Sequence, residues 1–233
     1  MKRNRQLLPA ALIAATMLTA CTADDPAPEP SQPAQASAVV LPSPELPGDA
    51  TLADPIEGRR STREYTTEPV TLDQVAGLLW AGYGVQSDGG RAVPSAGGRY
   101  PMTLYLVAGN VPGLDQGCYR FDPAANQLLP HRTGDLRADL ASASLDQQSI
   151  ADAPASIVVA GSPDRLRDRY GVRSERFAMI EAGHIGQNLA LAAEVLGLGM
   201  VTIGAFDDAE VAGVLDLPAD EQVYYVIPVG HPA

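Results

Sequence analysis

The longest run of helical periodicity covers residues 175–196 and is followed by Gly197, which predicts a long helix that ends at a glycine. Small residues cluster within this segment, notably Ala182, Gly183 and Gly186. A face of small side chains lets another backbone approach closely. The helix must therefore pack tightly, and the sequence leaves open whether its partner is the rest of its own fold or a second copy of the chain.

Strands and shorter helices are predicted on both sides of this helix. Apolar runs predict strands at residues 102–108, 156–160, 200–203 and 223–229, and a hairpin from 118–121 to 128–129. Helical spacing predicts helices at residues 72–83, 135–145, 165–170 and 208–215. The first of these has Thr67 or Thr71 as its candidate N-cap. The order of elements indicates an α+β fold with a central mixed sheet flanked by helices.

The N-terminal 20 residues have the layout of a secretory signal peptide. A basic start precedes an apolar run over residues 7–18, which is too short to span a bilayer comfortably. The residues Leu18-Thr19-Ala20-Cys21 resemble the bacterial lipobox, in which cleavage before the cysteine leaves it lipid-modified. We therefore expect a lipoprotein anchored through Cys21 at the periplasmic or extracellular face of a membrane. The alternative is a buried apolar helix that ends in a cysteine.

Residues 21–50 are rich in Pro, Ala, Ser and Gln and contain no aromatic residue. Such a segment buries too little apolar surface to offset the entropy of ordering it, so a disordered tether is predicted. An ordered arm remains the alternative for residues 39–47. The folded domain is expected to cover residues 51–233.

The net charge of −12 argues against a nucleic-acid partner, which would need clustered basic residues. Lys2 is the only lysine, so cationic roles in the domain fall to arginine, whose planar fork suits phosphate and carboxylate. His131, His184 and His231 have no ligand partners at metal-binding spacing, and no metal is predicted. His184 is interpreted as a core or capping histidine.

Three segments combine residue types that suit a polar ligand. Arginine forks and hydroxyls of the kind that bind a phosphate lie together at Arg59, Arg60, Ser61 and Arg63, although a solvated basic patch would look the same. A loop with a hydroxyl and two glycines, suited to a flat polar ligand or to a plain turn, consists of Pro94, Ser95, Ala96, Gly97 and Gly98. A strand end where a backbone N–H could face a ligand, or simply turn into a helix, lies at Gly204 and Ala205.

Together with Glu181-Ala182-Gly183-His184 and Gly197-Leu198-Gly199, these segments occur in an order that resembles the FMN-dependent nitroreductase family. The similarity is greatest to its SagB-like branch, named for azoline dehydrogenases, and covers about residue 51 to the end.

The resemblance implies an intertwined homodimer with two FMN sites at the subunit interface. Arg59 and Ser61, with Arg60 as a further arginine, would bind the phosphate and ribityl chain, and Arg63 would lie near the N1/O2 edge of the flavin. Pro94, Ser95, Ala96 and Gly97 would reach the isoalloxazine from the partner subunit. The N–H of Gly204, beside Ala205, would donate to flavin N5.

Two departures from the family pattern bear on activity. Arg169 precedes Tyr170 where azoline dehydrogenases have a lysine implicated in proton removal. Because arginine stays protonated, it is a poor base, and azoline oxidation is not expected. The chain also stops at residue 233, where many relatives continue to another basic phosphate ligand, which predicts weaker FMN retention or substitution by Arg60.

The predicted function is an FMN-dependent oxidoreductase that passes hydride or electrons through flavin N5 in two half-reactions. Its substrate is a small molecule or a peptide, and Arg169 and Tyr170 are the candidate catalytic residues. The alternative is a flavin- or ligand-binding lipoprotein that kept the fold and lost turnover.

Overall fold

A computed structural model describes residues 37–48 and 51–233. The predicted signal peptide, Cys21 and most of the predicted tether lie outside the described residues. The strands are β1 Val39–Val40, β2 Met102–Ala108, β3 Gly117–Asp122, β4 Gln127–Thr133, β5 Ala155–Gly161, β6 Gly199–Met200 and β7 Gln222–Gly230. The helices are α1 Ala53–Gly58, α2 Leu72–Tyr83, α3 Arg137–Ala143, α4 Gln148–Asp152, α5 Asp164–Tyr170, α6 Ser174–Val195 and α7 Asp208–Leu215.

The strands form one sheet in the order β1-β4-β3-β2-β5-β7-β6, and each neighbouring pair is antiparallel. The α+β prediction is confirmed. The parallel part of the predicted mixed sheet is small, because in the described chain it consists of an isolated bridge between Ser61 and Met200.

Helices cover both faces of the sheet, so its central strands are buried on both sides. Every residue of β2 and β5 is buried, as the apolar run in β5 predicts. Alternate side chains of β2 enter different cores: Leu104 and Leu106 join the core under α2 and α6, whereas Tyr105 and Val107 join the core under α3 and α7. The fold is therefore a helix–sheet–helix sandwich.

Helix α6 lies against α2 and the sheet within its own chain. Ala178, Ala182, Ile185 and Leu189 are buried in that core, and a methyl group on Gly82 of α2 would lie only 3.1 Å from Leu189. Gly183 is different, because a methyl group placed there would meet no atom within 4 Å. One side of the helix is thus buried in its own fold, and the side that carries Gly183 is open.

Two predicted elements differ from the structure. The predicted helix at residues 135–145 is divided into α3 and α4, because Leu145 and Asp146 adopt left-handed backbone conformations with φ of 58° and 57°. The predicted strand at residues 200–203 ends at Met200, and Ile203 makes only an isolated bridge to Val226.

The domain begins before the predicted boundary at residue 51. Val39 and Val40 pair with Leu128 and Gln127 at the edge of the sheet, and Leu41 is only 4% exposed. Asn126 Nδ2 donates to the Leu41 and Pro42 carbonyls, at 3.2 and 2.9 Å. Residues 37–48 are therefore an ordered arm and not a disordered tether, since three consecutive apolar residues find an unpaired strand edge.

No helix in the described part of the chain is both long and apolar enough to cross a membrane.

The structure selects between the two candidate N-caps of α2. The Thr71 hydroxyl accepts from the Gln74 N–H at 3.2 Å, and Gln74 Oε1 accepts from the Thr71 N–H at 2.9 Å. This reciprocal pair is a capping box.

We expect Thr71→Ala to lower the free energy of unfolding by about 1 kcal/mol, because the Gln74 N–H loses its acceptor. Thr67→Ala is the matched control, since Thr67 is exposed and lies outside the cap. Urea denaturation of both variants makes the comparison. Equal losses would contradict the assignment of the cap to Thr71.

Candidate functional site

The predicted phosphate ligands line a small cavity of about 160 Å³, called the arginine cavity below. Its walls come from the segment after α1, from α6, from β6 and the residues that follow it, and from β7. The lining residues are Arg59, Arg60, Ser61, Gly183, Gly186, Gln187, Ala190, Met200, Val201, Thr202 and Tyr225. The arginine cluster and the small residues of α6, which are far apart in sequence, are thus brought together.

The arginine segment is held in place by backbone contacts with β6. The Thr62 N–H donates to the Met200 carbonyl at 2.9 Å, and Ser61 forms the bridge to Met200. A methyl group on Gly199 would lie 2.7 Å from the Thr62 side chain, so a side chain at residue 199 would push this segment away. Arg63 is exposed but does not line the arginine cavity.

The Gly204 turn presents a fixed backbone donor near this cavity. Ile203 exchanges two hydrogen bonds of 3.0 Å with Val226, the Ala205 carbonyl accepts from Gln147 Nε2 at 2.9 Å, and the Asp207 N–H donates to Ala143 at 2.9 Å. Between these anchors, the exposed Gly204 has an N–H that donates to no acceptor among the described residues.

The Tyr225 ring connects the Gly204 turn with the arginine cavity. A methyl group on Gly186 would lie 3.4 Å from this ring, and one on Gly204 would lie 3.8 Å from it. Tyr225 is half-buried and also lines the cavity. The structure therefore brings Arg59, Arg60, Ser61 and the Gly204 turn to one region, and Tyr225 is the side chain that sequence reasoning missed there.

The loop with Pro94, Ser95, Ala96 and Gly97 lies beside a second cavity of about 360 Å³, called the loop cavity below. Gly97 and Gly98 have φ of 61° and 64°, conformations that favour glycine. The Ser95 hydroxyl accepts from the Tyr100 N–H at 2.9 Å and closes the loop on itself. The hydrogen bond and the two glycine conformations together form a tight turn.

The predicted catalytic pair lies directly against this loop. A methyl group on Gly97 would lie 2.6 Å from the Tyr170 hydroxyl oxygen and 2.8 Å from Arg169 Nη1. The Arg169 guanidinium lies 5.6 Å from the centre of the Tyr170 ring. The Tyr170 and Phe177 rings form an edge-to-face pair with their centres 4.8 Å apart. The close contact explains why residue 97 has no side chain, and no sequence pattern predicted it.

Glu181 is a buried acid beneath the loop that sequence reasoning did not place in the site. It is 1% exposed, and its Oε1 accepts from the Tyr83 hydroxyl at 2.8 Å. Tyr83 in turn accepts from the Met102 N–H at 3.1 Å, which connects α6 to α2 and β2. Glu181 Oε2 is fully buried, and the loop groups that lie near this carboxylate are the Ser95 hydroxyl and the Ala96 N–H.

Burial raises the pKa of Glu181, and the Ser95 hydroxyl, the Tyr83 hydroxyl and the Ala96 N–H oppose that rise, as does His184 through its charge. The acid therefore lies close to the predicted flavin loop. Its sequence signal was the spacing of Phe177, Glu181 and His184 on α6, which puts these residues on one face of the helix.

The remaining walls of the loop cavity come from α5 and α6. Its lining residues are Pro94, Ser95, Ala96, Tyr170, Phe177, Ile180, Glu181 and His184. His184 is exposed and faces this cavity, so its interpretation as a core or capping histidine is wrong. The position lies midway along α6, where the open face of the helix meets the loop.

The two cavities have no lining residue in common. They adjoin α6 at neighbouring residues, Gly183 for the arginine cavity and His184 for the loop cavity. Successive helical residues point about 100° apart, so the cavities open on different sides of the helix. A single chain thus does not join the two halves of the predicted site.

No group of three or more His, Cys, Asp and Glu residues in the described ranges 37–48 and 51–233 is arranged to hold a metal ion. Cys118 is buried, and burial raises the pKa of its thiol to about 12. This cysteine is therefore an unreactive core residue.

We expect the stability of the protein to depend on pH through Glu181. Because burial raises the folded-state pKa, Glu181 contributes most to stability below its unfolded pKa of about 4.5 and loses that contribution as the pH rises through the folded pKa. Glu181→Gln cannot ionise. The difference in unfolding free energy should therefore shift in favour of the variant as the pH rises.

Urea denaturation of wild type and Glu181→Gln, at a series of pH values from below 4.5 upward, measures the shift in the difference between their unfolding free energies. Glu175→Gln, elsewhere on α6, is the control. A pH-independent difference between wild type and Glu181→Gln would contradict the raised pKa.

Comparison with known proteins matches residues 56–231 to the nitroreductase family. A protein of Methanocaldococcus jannaschii that carries the name nitroreductase is 37% identical over 180 residues, which cover 77% of this chain and 90% of that protein. The trifolitoxin-processing protein TfxB of Rhizobium leguminosarum bv. trifolii is 30% identical over 132 residues, covering 54% of this chain and 35% of that protein.

Among solved structures, a nitroreductase-type protein of Ralstonia eutropha superposes with a TM-score of 0.74 at 28% identity, covering 90% of this chain and 96% of the other. The match of the family over most of the domain agrees with the order of motifs in the sequence. The chain belongs to the nitroreductase family, and its similarity to TfxB supports a place in the SagB-like branch.

Proposed function

We propose that the protein is an FMN-dependent oxidoreductase. The observation that carries the proposal is the Gly204 N–H, which is held between three anchored neighbours and has no acceptor among the described residues. A rigid donor without a partner, beside a cavity with two arginines, suits a ligand that is both polar and anionic.

The residues present fit such a cofactor. Arg59, Arg60 and Ser61 offer charge-assisted and hydroxyl hydrogen bonds to a phosphate, and an arginine fork matches phosphate oxygens in pairs. Gly97 lets Arg169 and Tyr170 approach the loop closely, and a flat ring system could lie against Pro94, Ser95 and Ala96, which line the loop cavity. The proposed ligands are those that the sequence resemblance implies.

When bound, FMN would supply an N5 atom that takes up and releases hydride. The protein's own residues would position the flavin and polarise it. The Gly204 N–H would donate to the flavin, and Arg63 would bring positive charge to its pyrimidine edge. Arg169 stays protonated, so it does not accept a proton, which argues against azoline oxidation.

A homodimer completes the site in this proposal. The arginine cavity and the loop cavity open on different sides of α6, and the face that carries Gly183 is open. A second copy packed on this face would bring its loop over the arginine cavity of the first. The substrate would be a small molecule or a peptide that enters beside the loop.

We also propose that the protein is a lipoprotein of the bacterial cell envelope, on the basis of its first 21 residues. NAD(P)H is not expected outside the cytoplasmic membrane, so the electron donor would be another reductant.

Replacing Cys21 with Ser should release the protein from the membrane fraction, because the lipid-carrying thiol is lost. Fractionation followed by immunoblotting measures the distribution, with Cys118→Ser as the matched control. Unchanged membrane association of the Cys21 variant would contradict the anchor.

The absorbance spectrum of the purified protein tests the cofactor. A flavin spectrum, or a thermal shift on addition of FMN, supports the proposal. A colourless protein whose spectrum and melting temperature do not change when FMN is added would contradict it. A protein that binds FMN but transfers no electrons between any screened donor and acceptor would favour the degenerate binding lipoprotein.

The two loop glycines provide a sharper test. Gly97→Ala and Gly98→Ala incur similar strain from positive φ, about 1 kcal/mol each. Only the methyl group at residue 97 would collide with Tyr170 and Arg169, since at residue 98 it would meet nothing within 4 Å.

Gly97→Ala should therefore weaken FMN binding, measured by flavin fluorescence, at least tenfold more than Gly98→Ala does. A bulky residue such as leucine at position 97 should abolish binding in a folded protein. Stoichiometric flavin in Gly97→Leu would count against the proposed role of the loop.

A further inference from the structure

We propose that Tyr225 contacts the cofactor, and that its ring packs against the flavin between the end bound in the arginine cavity and the end bound by the Gly204 N–H. This inference rests on the proposed function, because it takes the ligand of that site to be FMN. It is carried by the position of the Tyr225 ring and by the strand irregularity that turns this ring toward α6.

The Tyr225 ring spans the space between α6 and the Gly204 turn. A methyl group on Gly186 would lie 3.4 Å from Cε2 of the ring, and a methyl group on Gly204 would lie 3.8 Å from Cε1. These two carbons are on opposite edges of the ring, one on each side of the hydroxyl. The ring therefore has one edge toward the helix and the other toward the turn.

The same ring is a wall of the arginine cavity. Tyr225 is half-buried and lines this cavity together with Arg59 and Ser61. A ligand whose phosphate is bound in the cavity, and whose ring nitrogen accepts from the Gly204 N–H, must therefore extend past the Tyr225 ring. Flat conjugated rings pack favourably against aromatic side chains, so the ligand gains a contact along this path.

A β-bulge in β7 directs Tyr225 to this side of the sheet. Tyr225 pairs with Val159 of β5, but the neighbouring Ala160 pairs with Val223, so Tyr224 is the extra residue of the bulge. Val223 is buried in the core under α3 and α7, whereas Tyr225 packs against the core under α2 and α6. Residues two apart in a regular strand face the same side. The bulge is therefore what turns Tyr225 toward α6.

Small neighbours leave room for the ring and for a ligand beside it. A methyl group on Gly186 would lie 3.3 Å from Thr202 Cγ2 as well as 3.4 Å from the Tyr225 ring, so a side chain at residue 186 would crowd both. The cavity adjoins the open face of α6 at Gly183. In the proposed dimer, the flavin would thus lie between Tyr225 of one copy and the Pro94–Gly97 loop of the other.

The adjacent Tyr224 has the same chemistry but a different position. It lines neither the arginine cavity nor the loop cavity. Its hydroxyl oxygen is buried without a hydrogen-bond partner among the described residues, and burial, with a smaller effect from the charge of Glu175, raises its pKa. Tyr224 is therefore a matched control for Tyr225.

Titration of the flavin-free full-length protein with FMN and with riboflavin, followed by flavin fluorescence, tests the inference. Tyr225→Leu should weaken the binding of both flavins by the same factor, about tenfold, because the lost contact is with a part that both share. Tyr225→Phe keeps the ring and should bind both flavins as tightly as wild type does. Arg59→Gln should weaken FMN binding and leave riboflavin unchanged, because riboflavin has no phosphate.

The fluorescence of the bound flavin is a readout that a merely structural role would not change. A phenol ring in contact with a flavin quenches its fluorescence by electron transfer, whereas the phenyl ring of phenylalanine is too hard to oxidise. FMN bound at saturation should therefore fluoresce more strongly in Tyr225→Phe than in wild type. Tyr224→Phe and Tyr224→Leu should change neither the affinity nor this fluorescence.

Unchanged affinity in Tyr225→Leu would overturn the inference, and so would a loss for FMN alone or an equal loss in Tyr225→Phe, which would assign the effect to the hydroxyl. If Tyr225→Leu does not fold, unchanged fluorescence in Tyr225→Phe overturns the inference by itself. Tight FMN binding in wild type and in every Tyr225 variant would refute only this inference. A wild-type protein that binds neither flavin would refute the proposed function and this inference with it.

Discussion

The burial of α6 against α2 and the sheet is the interaction on which the rest of the site depends. Its buried residues include Ile185 and Leu189, and each such side chain contributes about 1.5–3 kcal/mol when it is fully removed from water. This packing fixes the rotation of the helix. Once the rotation is fixed, Gly183 faces the arginine cavity, and His184 faces the loop cavity.

Hydrogen bonds of Tyr83 and Glu181 connect the packing of α6 with the chain on which the loop lies. The hydroxyl of Tyr83 joins Met102 at the start of β2 to the buried carboxylate on α6. Tyr83 also stands edge-on to Tyr100, with the Arg91 guanidinium 5.2 and 5.4 Å from the centres of the two rings. These buried hydrogen bonds fix α2, α6 and the start of β2 relative to one another beneath the loop.

Local sequence patterns predicted the elements whose residues satisfy local rules. Helix α2 has its capping box and Gly84 at its end, and β5 is a short apolar run that is buried on both faces. The predictions differed where tertiary contacts decided the outcome. Leu145 and Asp146 interrupt a helix that periodicity alone would continue. The apolar residues 39–41 belong to the domain because residues 39 and 40 pair with the edge of β4, and the local sequence does not indicate that pairing.

By itself, the sequence determined the residue types of the site and the family. The arginine cluster, the Pro94–Gly97 loop and the Gly204 turn are contiguous segments, so their chemistry and order can be read directly. Only the tertiary structure decided which of them meet. The contact of Gly97 with Arg169 and Tyr170, the placement of Glu181 under the loop and the separation of the two cavities depend on the rotation of α6, which long-range packing sets and no local pattern encodes.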